Sequence, residues 1–262
     1  MNAVYLDNPQ RKFKLGKLPA DKKKLKALLP FRVLLVKSNL PPLLLTYDID
    51  IIMAIVDTAM YLNDLLGDCV EAGSCHAIQR FEKFECGVQP VIQDADVKAQ
   101  YFKETGGADD GLVLLTHLEL WQKCGLVLGG EIYCIDAFAL INWKKHNEVM
   151  YAIQLLRGAY LGLQVPKFFM DGFEAGKRAF DVQCKGNTIE GGHCVYACAF
   201  DQTGVWIVTW GTRVHVTWKF WDKYVDECYA IVDQVDKWVN PATDPLNIPL
   251  LKSYLATIQA GC

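Results

Sequence analysis

The chain of 262 residues carries 27 Lys and Arg side chains against 30 Asp and Glu, which gives a formal net charge of −3. Its composition, 52% hydrophobic and 22% charged, excludes intrinsic disorder, a collagen-like repeat and a small disulfide-stabilised domain. No long apolar run is free of charges and prolines, so the sequence predicts no membrane contact. The N-terminus lacks the ordered blocks of a signal peptide, which favours a cytoplasmic location.

The charge is divided unevenly along the chain. Residues 1–45 hold ten Lys or Arg and two Asp, a net charge of +8, whereas residues 46–262 carry −11. Five prolines and the run Lys22-Lys23-Lys24 interrupt every apolar stretch of the first segment. The sequence therefore predicts an extended basic arm over residues 1–45, followed by one folded domain over residues 46–262.

The arm contains more apolar residues than a solvated tail needs. They are Leu15, Leu18, Leu25, Leu28, Leu29, Phe31, Leu34 and Leu35. We therefore expect the arm to lie on protein, most simply on a neighbouring subunit, and to be removable without unfolding the domain. Nucleic acid is disfavoured as its partner because Phe13 and Phe31 are its only phenylalanines, with no regular aromatic interleaving.

The periodicity of the remaining sequence places helices mainly before strands. Three-residue apolar spacing predicts a helix over 70–84, which Asp68 precedes as an N-cap. The other predicted helices cover residues 112–124, 147–157 and 219–230, and the predicted strands cover 132–141, 159–165, 193–200, 205–210 and 213–218. This order indicates an α+β fold.

Cys69 differs from the other nine cysteines by its position at a predicted helix start. A cysteine is a nucleophile only as the thiolate, which the free N–H groups of a helix N-terminus stabilise. Gly67 permits a sharp turn before it, and the amide of Asn63 is a candidate to stabilise an oxyanion. The cysteines form no C-x-x-C pair, so the sequence predicts neither a metal nor a cofactor.

A cysteine nucleophile needs a base, usually a histidine from elsewhere in the chain. His193 follows two glycines and opens an apolar strand, which would let its ring project into a cleft. The other histidines suit packing or surface positions: His76, His117, His146 and His215. We therefore expect Cys69 and His193 to form the reactive pair.

Three motifs occur in a suggestive order: Asn63 to Cys69, then Gly191-Gly192-His193, then Thr209-Trp210-Gly211. Together they resemble the papain-like cysteine peptidases, and more narrowly a poorly characterised group found largely in bacteria and bacteriophages. The resemblance covers roughly residues 60–232. It implies a helical half and an antiparallel β-sheet or barrel half, with the active-site cleft between them.

The resemblance also implies roles for single residues. Cys69 takes the nucleophile position, His193 the general-base position, and Asn63 the position of an oxyanion-hole amide. Trp210 matches the tryptophan that shields the histidine from solvent. Cys75, in Gly73-Ser74-Cys75-His76, superficially copies the family's nucleophile motif, but a nucleophile there would lie inside the predicted helix, so Cys69 is favoured.

The sequence departs from the family at the residue that orients the histidine. The family has an asparagine where this chain has Val208 or Thr209. The hydroxyl of Thr209 is a candidate for this role, and Asp201 at the hairpin turn is a second.

Two functions follow from these expectations. The first is a thiol hydrolase, a peptidase or amidase, acting on a peptide-like substrate. The alternative is a bacteriophage virion or assembly protein with a papain-like fold, weakly active or inactive, whose arm contacts other subunits. The second function would place the protein in the host cytoplasm or the virion.

Overall fold

The computed structural model describes residues 11–56, 59–234, 240 and 242–259. The first ten residues of the predicted arm lie outside this range, as does Cys262. The helices are α1 Lys22–Ala27, α2 Phe31–Leu34, α3 Ile49–Met53, α4 Cys69–Cys86, α5 Asp94–Thr105, α6 Leu114–Cys124, α7 His146–Leu156, α8 Lys167–Glu174, α9 Trp218–Tyr224 and α10 Ile248–Gln259. No helix among the described residues has both the length and the apolarity that a membrane span requires.

The strands alternate with the later helices along the chain. They are β1 Lys17–Leu18, β2 Tyr47–Asp48, β3 Leu112–Val113, β4 Leu126–Leu128, β5 Glu131–Tyr133, β6 Ala137–Leu140, β7 Ala159–Pro166, β8 Ala179–Phe180, β9 Ile189–Phe200, β10 Gly204–Thr209, β11 Thr212–Thr217 and β12 Val225–Val232.

One large sheet dominates the β half of the molecule. Its described strands follow the order β6-β12-β7-β9-β10-β11-β8. The short strand β2 also pairs with β9, outside this linear order. The pairs β7–β9, β9–β10 and β10–β11 are all antiparallel. The order runs from β6 to β8 without returning, so the described strands form an open sheet and not a closed barrel.

The helical half packs against this sheet through α4. Its apolar residues Cys75, Ile78 and Phe81 are buried in a cluster that also includes Tyr196 and Cys198 of β9. Burial of this helix face brings its first residue, Cys69, against the strand that carries His193. The architecture confirms the α+β expectation of a helical portion joined to an antiparallel sheet.

The first 45 residues are not uniformly extended, because α1 and α2 interrupt them. Phe31 and Leu34 are fully buried in the main hydrophobic core of this same chain. Pro30 forms a β-bridge with Leu140 of β6. Part of the predicted arm therefore packs into the core of this same chain; the domain boundary at residue 45 and the contact with another subunit both stay predictions.

Two local predictions were wrong. The helix expected over 219–230 ends at Tyr224, and Val225–Val232 is a strand between β6 and β7, because pairing on both sides outweighs local helix propensity. The strand expected over 132–141 is two short strands, β5 and β6, which belong to different sheets.

Candidate active site

Cys69 is the first residue of α4, and its side chain is buried. Its sulfur accepts a hydrogen bond from the backbone N–H of Cys194, at 3.3 Å, and the backbone N–H of Gly16 also acts to lower the pKa of this thiol. The predicted position at a helix start is thus confirmed. Two backbone donors and a helix N-terminus all favour negative charge on this sulfur.

Asp68 precedes the helix, but its side chain makes no capping hydrogen bond, contrary to the sequence prediction. Its carboxylate instead accepts from the amide of Asn63 at 3.1 Å. Its second oxygen has no hydrogen-bond partner among the described residues. Burial raises the pKa of Asp68 to about 8, so this carboxyl group is largely protonated near neutral pH.

Asn63 lies beside the helix start, as expected, but its amide is already engaged. The Nδ2 group donates to the carbonyl oxygen of Leu66 and to Asp68, both at 3.1 Å. An amide nitrogen has only two hydrogens to donate. The oxyanion role of Asn63 therefore stays a prediction, which requires one of these two hydrogen bonds to be exchanged for substrate.

His193 lies on β9 and is held by Thr209 at the end of β10. Its Nε2 is 2.6 Å from the hydroxyl oxygen of Thr209. The other ring nitrogen, Nδ1, has no hydrogen-bond partner among the described residues. Asp201, the second candidate to orient the ring, accepts hydrogen bonds from Thr203 and Gly204 in the hairpin turn instead.

Trp210 covers the ring of His193. The two ring centroids are 4.2 Å apart and the planes are inclined by 18°. This placement depends on a tight turn, since Trp210 and Gly211 both have positive φ, 41° and 70°, as a two-residue type I′ hairpin loop requires. The turn between β10 and β11 therefore stacks the indole on the imidazole.

A feature that the sequence did not predict closes this site. Residues 11–18, which we call the covering segment, run over Cys69 and His193. The Lys14 N–H donates to the Asn63 carbonyl, and the Lys14 carbonyl accepts from the Trp210 indole, both at 3.1 Å. Further along, β1 pairs in parallel with β3.

Side chains fix the covering segment at both ends. The Lys17 ammonium is buried and lies 2.6 Å from Glu227 and 3.1 Å from Asp226. Burial alone would lower the pKa of Lys17, but the two carboxylates more than offset it and raise the pKa above its ordinary value. The Arg11 guanidinium, at the other end, forms ion pairs with Asp171, Glu174 and Glu190.

The covered pair is electrically neutral. Burial raises the pKa of Cys69 to about 12, although the two backbone N–H donors oppose this shift. Burial also lowers the pKa of His193 to about 3. Near neutral pH the site therefore holds a thiol and a neutral imidazole, and not the thiolate and imidazolium that nucleophilic catalysis uses.

The alternative nucleophile, Cys75, is fully buried inside α4, where burial raises its pKa well above the ordinary value. The neighbouring His76 contacts the Tyr61 ring, with centroids 5.1 Å apart. Within the part of the chain that the structure describes, the side chains grouped closely enough to hold a metal ion are a different set: Glu71, Glu104 and His117. Their wide spacing in the sequence gave no motif.

No protein-family model and no curated protein sequence matches the chain. Solved structures do match. Xylellain, a cysteine protease from Xylella fastidiosa, has a TM-score of 0.66 at 14% identity, covering 86% of this chain and 97% of xylellain. A proCathepsin B from Trypanosoma congolense has a TM-score of 0.59 at 11% identity, covering 84% and 86%. Bromelain from Ananas comosus has a TM-score of 0.52 at 11% identity, covering 74% and 100%.

At these identities the comparisons show the fold alone. They confirm that this chain has the papain-like fold that the three sequence motifs suggested.

Proposed function

We propose that this protein is a papain-like thiol hydrolase that cleaves amide bonds in peptide-like substrates, with Cys69 as nucleophile and His193 as base. One observation carries the proposal. The Cys69 sulfur lies at a helix start and accepts a hydrogen bond from the backbone of the residue after His193, while Thr209 holds the histidine ring. This arrangement supports a thiol activated by a positioned imidazole.

The chemistry follows from this arrangement. His193 takes the proton of Cys69, and the thiolate attacks the substrate carbonyl to form a C–S bond. The tetrahedral oxyanion then collapses, the C–N bond breaks, and His193 returns its proton to the leaving amine. Water attacks the resulting thioester with His193 again as base, which releases the acid and restores the thiol. The backbone N–H of Cys69 at the helix start is available to the oxyanion.

The covering segment must move before a substrate can bind. The backbone N–H of its Gly16 acts on the nucleophilic sulfur, and its Lys14 carbonyl accepts a hydrogen bond from the Trp210 indole. We therefore assign the observed arrangement to a closed form of the enzyme, in which residues 11–18 exclude both substrate and water.

The position of Lys17 supports a preference for basic substrates. Lys17 follows Gly16, which packs against Gly67 before the helix start, and its carbonyl lies against Gly192, next to His193. Its side chain runs past Gly162 to the carboxylates of Asp226 and Glu227. When the covering segment leaves, these two carboxylates are free to bind a Lys or Arg side chain of a substrate.

Two measurements test the proposal. Iodoacetamide should label Cys69 ahead of the other cysteines once residues 1–20 are removed, and His193→Ala should slow this labelling. Amide hydrolysis of a fluorogenic peptide panel should disappear in Cys69→Ala and should favour Lys or Arg in substrates. Labelling of Cys75 first, or hydrolysis that survives Cys69→Ala, would refute the assignment.

The assembly function stays the alternative. An exposed apolar group on residues 44–56 favours it, because such surfaces commonly mark contact sites: Leu44, Leu45, Ile51, Ile52 and Val56. Light scattering of the full chain tests it. A monomer at all concentrations, together with a reactive Cys69, would leave only the hydrolase.

A further inference from the structure

Two carboxylates and one imidazole meet inside the helical half. Glu71 lies in the first turn of α4, Glu104 near the end of α5, and His117 on α6. The side chains of Glu71 and His117 have no exposed surface, and that of Glu104 is 5% exposed. One donor atom from each lies within 4.8 Å of the others.

Glu71 has few of the partners that a buried carboxylate needs. Among the described residues no group donates to its oxygens in good hydrogen-bond geometry, and only the Ser74 hydroxyl and the Glu104 carboxyl lie within looser reach. The Nδ1 nitrogen of His117 lies 3.6 Å from Glu71, but it is closer to Glu104, at 3.1 Å. An uncompensated buried carboxylate is costly, so this cluster requires either additional protons or a cation.

We propose that Glu71, Glu104 and His117 form a binding site for a divalent transition-metal ion of the zinc type. Oxygen and nitrogen ligands lie about 2.0–2.2 Å from Zn²⁺, which places tetrahedral ligands roughly 3.3–3.6 Å apart. The His117 nitrogen is 3.1 Å from Glu104 and 3.6 Å from Glu71, so small side-chain shifts would bring these three ligands to such separations, and the fourth position would fall to water.

The charges and the surroundings fit such an ion. Two carboxylates and a neutral imidazole together neutralise a divalent cation, which is the condition for burying it. Gln100 orients Glu104 through a 2.9 Å hydrogen bond, and the rings of Trp121 and Tyr160 flank His117. Imidazole suits zinc-type ions better than calcium or magnesium, which prefer oxygen ligands alone.

The ion would connect three helices. It would link the start of α4, two residues after Cys69, to α5 and α6, and so act as a structural crosslink that is independent of the proposed hydrolysis. No short sequence motif indicates this site, because Glu71 and Glu104 are 33 residues apart and Glu104 and His117 are 13 residues apart.

The test uses the full chain carrying Cys69→Ala, which removes the candidate active-site thiol as a competing ligand. After chelator treatment, addition of Zn²⁺ at a hundredfold excess over its Kd should raise the unfolding midpoint by about 5–10 °C. Elemental analysis should give one zinc per chain. Cobalt substitution should give a visible spectrum without a thiolate-to-metal band.

Glu104→Gln and His117→Gln should each weaken zinc binding at least tenfold. Glu119→Gln, at an exposed carboxylate on the same helix as His117, should leave it unchanged. If the three side chains only share protons, zinc will not change the unfolding midpoint and the protein will retain no metal. Either that outcome or equal zinc binding by Glu104→Gln and the parent would overturn the proposed metal site. Neither outcome would affect the proposed hydrolase function.

Discussion

The backbone N–H of Gly16 lies near enough to the Cys69 sulfur to lower the pKa of that thiol. Gly16 also packs so tightly against Gly67 that a Cβ on it would overlap the Gly67 carbonyl group. The covering segment therefore approaches the sulfur at a point where the two residues that pack together, Gly16 and Gly67, both lack a side chain.

Gly16→Ala should open the site. The added methyl group meets backbone atoms, which cannot rotate away, so the covering segment must shift. We expect iodoacetamide to label Cys69 at least tenfold faster in this variant, measured by peptide mass spectrometry. Lys22→Ala, at an exposed residue of α1 in the same arm, is the matched control and should label like the parent. Equal rates in all three proteins would show that residues 11–18 do not limit access.

Acid should also loosen the covering segment. Burial lowers the pKa of His193 from 6.5 to about 3, so the closed form binds fewer protons than the open form. The contribution of His193 to closure is therefore fully present above pH 6.5 and is lost as pH falls toward 3. Hydrogen exchange of residues 14–18, corrected for the intrinsic rate, should accelerate across this window.

The central residues of α4 provide the internal control for that measurement, because global unfolding would accelerate their exchange equally. His193→Gln should weaken the acid dependence in residues 14–18, and the part that remains should come from the carboxylates that hold Arg11 and Lys17. If the parent and this variant accelerate alike, another group controls the opening.

Thr209→Val should impair catalysis by releasing the His193 ring. The substitution preserves shape but removes the hydroxyl that lies 2.6 Å from Nε2. In the Gly16→Ala background we expect kcat to fall roughly 10- to 100-fold with little change in KM, since a misplaced base affects the reaction and not binding. Thr209→Ser should retain most activity, and Thr212→Val, on the paired strand, should be neutral. An unchanged kcat in Thr209→Val would remove Thr209 from the orienting role.

Lys17→Met should destabilise the closed protein. It removes the cation from a buried group and leaves Glu227, which is 2% exposed, with the Tyr229 hydroxyl as its one remaining donor among the described residues. Breaking a buried ion pair in this way typically costs about 3–5 kcal/mol of the free energy of unfolding. Lys17→Met combined with Glu227→Gln should recover part of this loss in urea unfolding.

Lys23→Met, at an exposed lysine, is the control and should be neutral. If the covering segment of Lys17→Met instead moves away and lets water reach Glu227, stability will change little, but iodoacetamide should label Cys69 faster. A Lys17→Met protein that changes neither in stability nor in labelling would contradict the clamp.

Two truncations should show that residues 1–20 and residues 21–45 have different roles. Deletion of residues 1–20 removes the covering segment and should leave a folded protein with an accessible Cys69. Deletion of residues 1–45 also removes Phe31 and Leu34, which together contribute about 3–6 kcal/mol of core burial. The shorter deletion lets water reach Glu227 and Asp226, so circular dichroism and urea unfolding should show a clearly larger loss of stability for the longer deletion. Equal stability of both would support the boundary that the sequence placed at residue 45.

The sequence alone located the candidate site because its signals are local. Helical spacing after Cys69 and the glycines before His193 are read within a few residues, and the papain-like motifs occur in the same order as in the fold. Backbone conformation responds strongly to such neighbours, so α4, β9 and the β9–β10 hairpin were predicted within a few residues of their bounds.

Only the tertiary structure decided which segment covers the site and which side chain holds the His193 ring. Lys17 and Glu227 are 210 residues apart, and Thr209 and Asp201 could not be separated as partners of His193 until the hairpin was placed. The same holds for Val225–Val232, which is a strand because β6 and β7 offer hydrogen bonds on both sides. These features depend on contacts between distant segments, whose energies no local pattern contains.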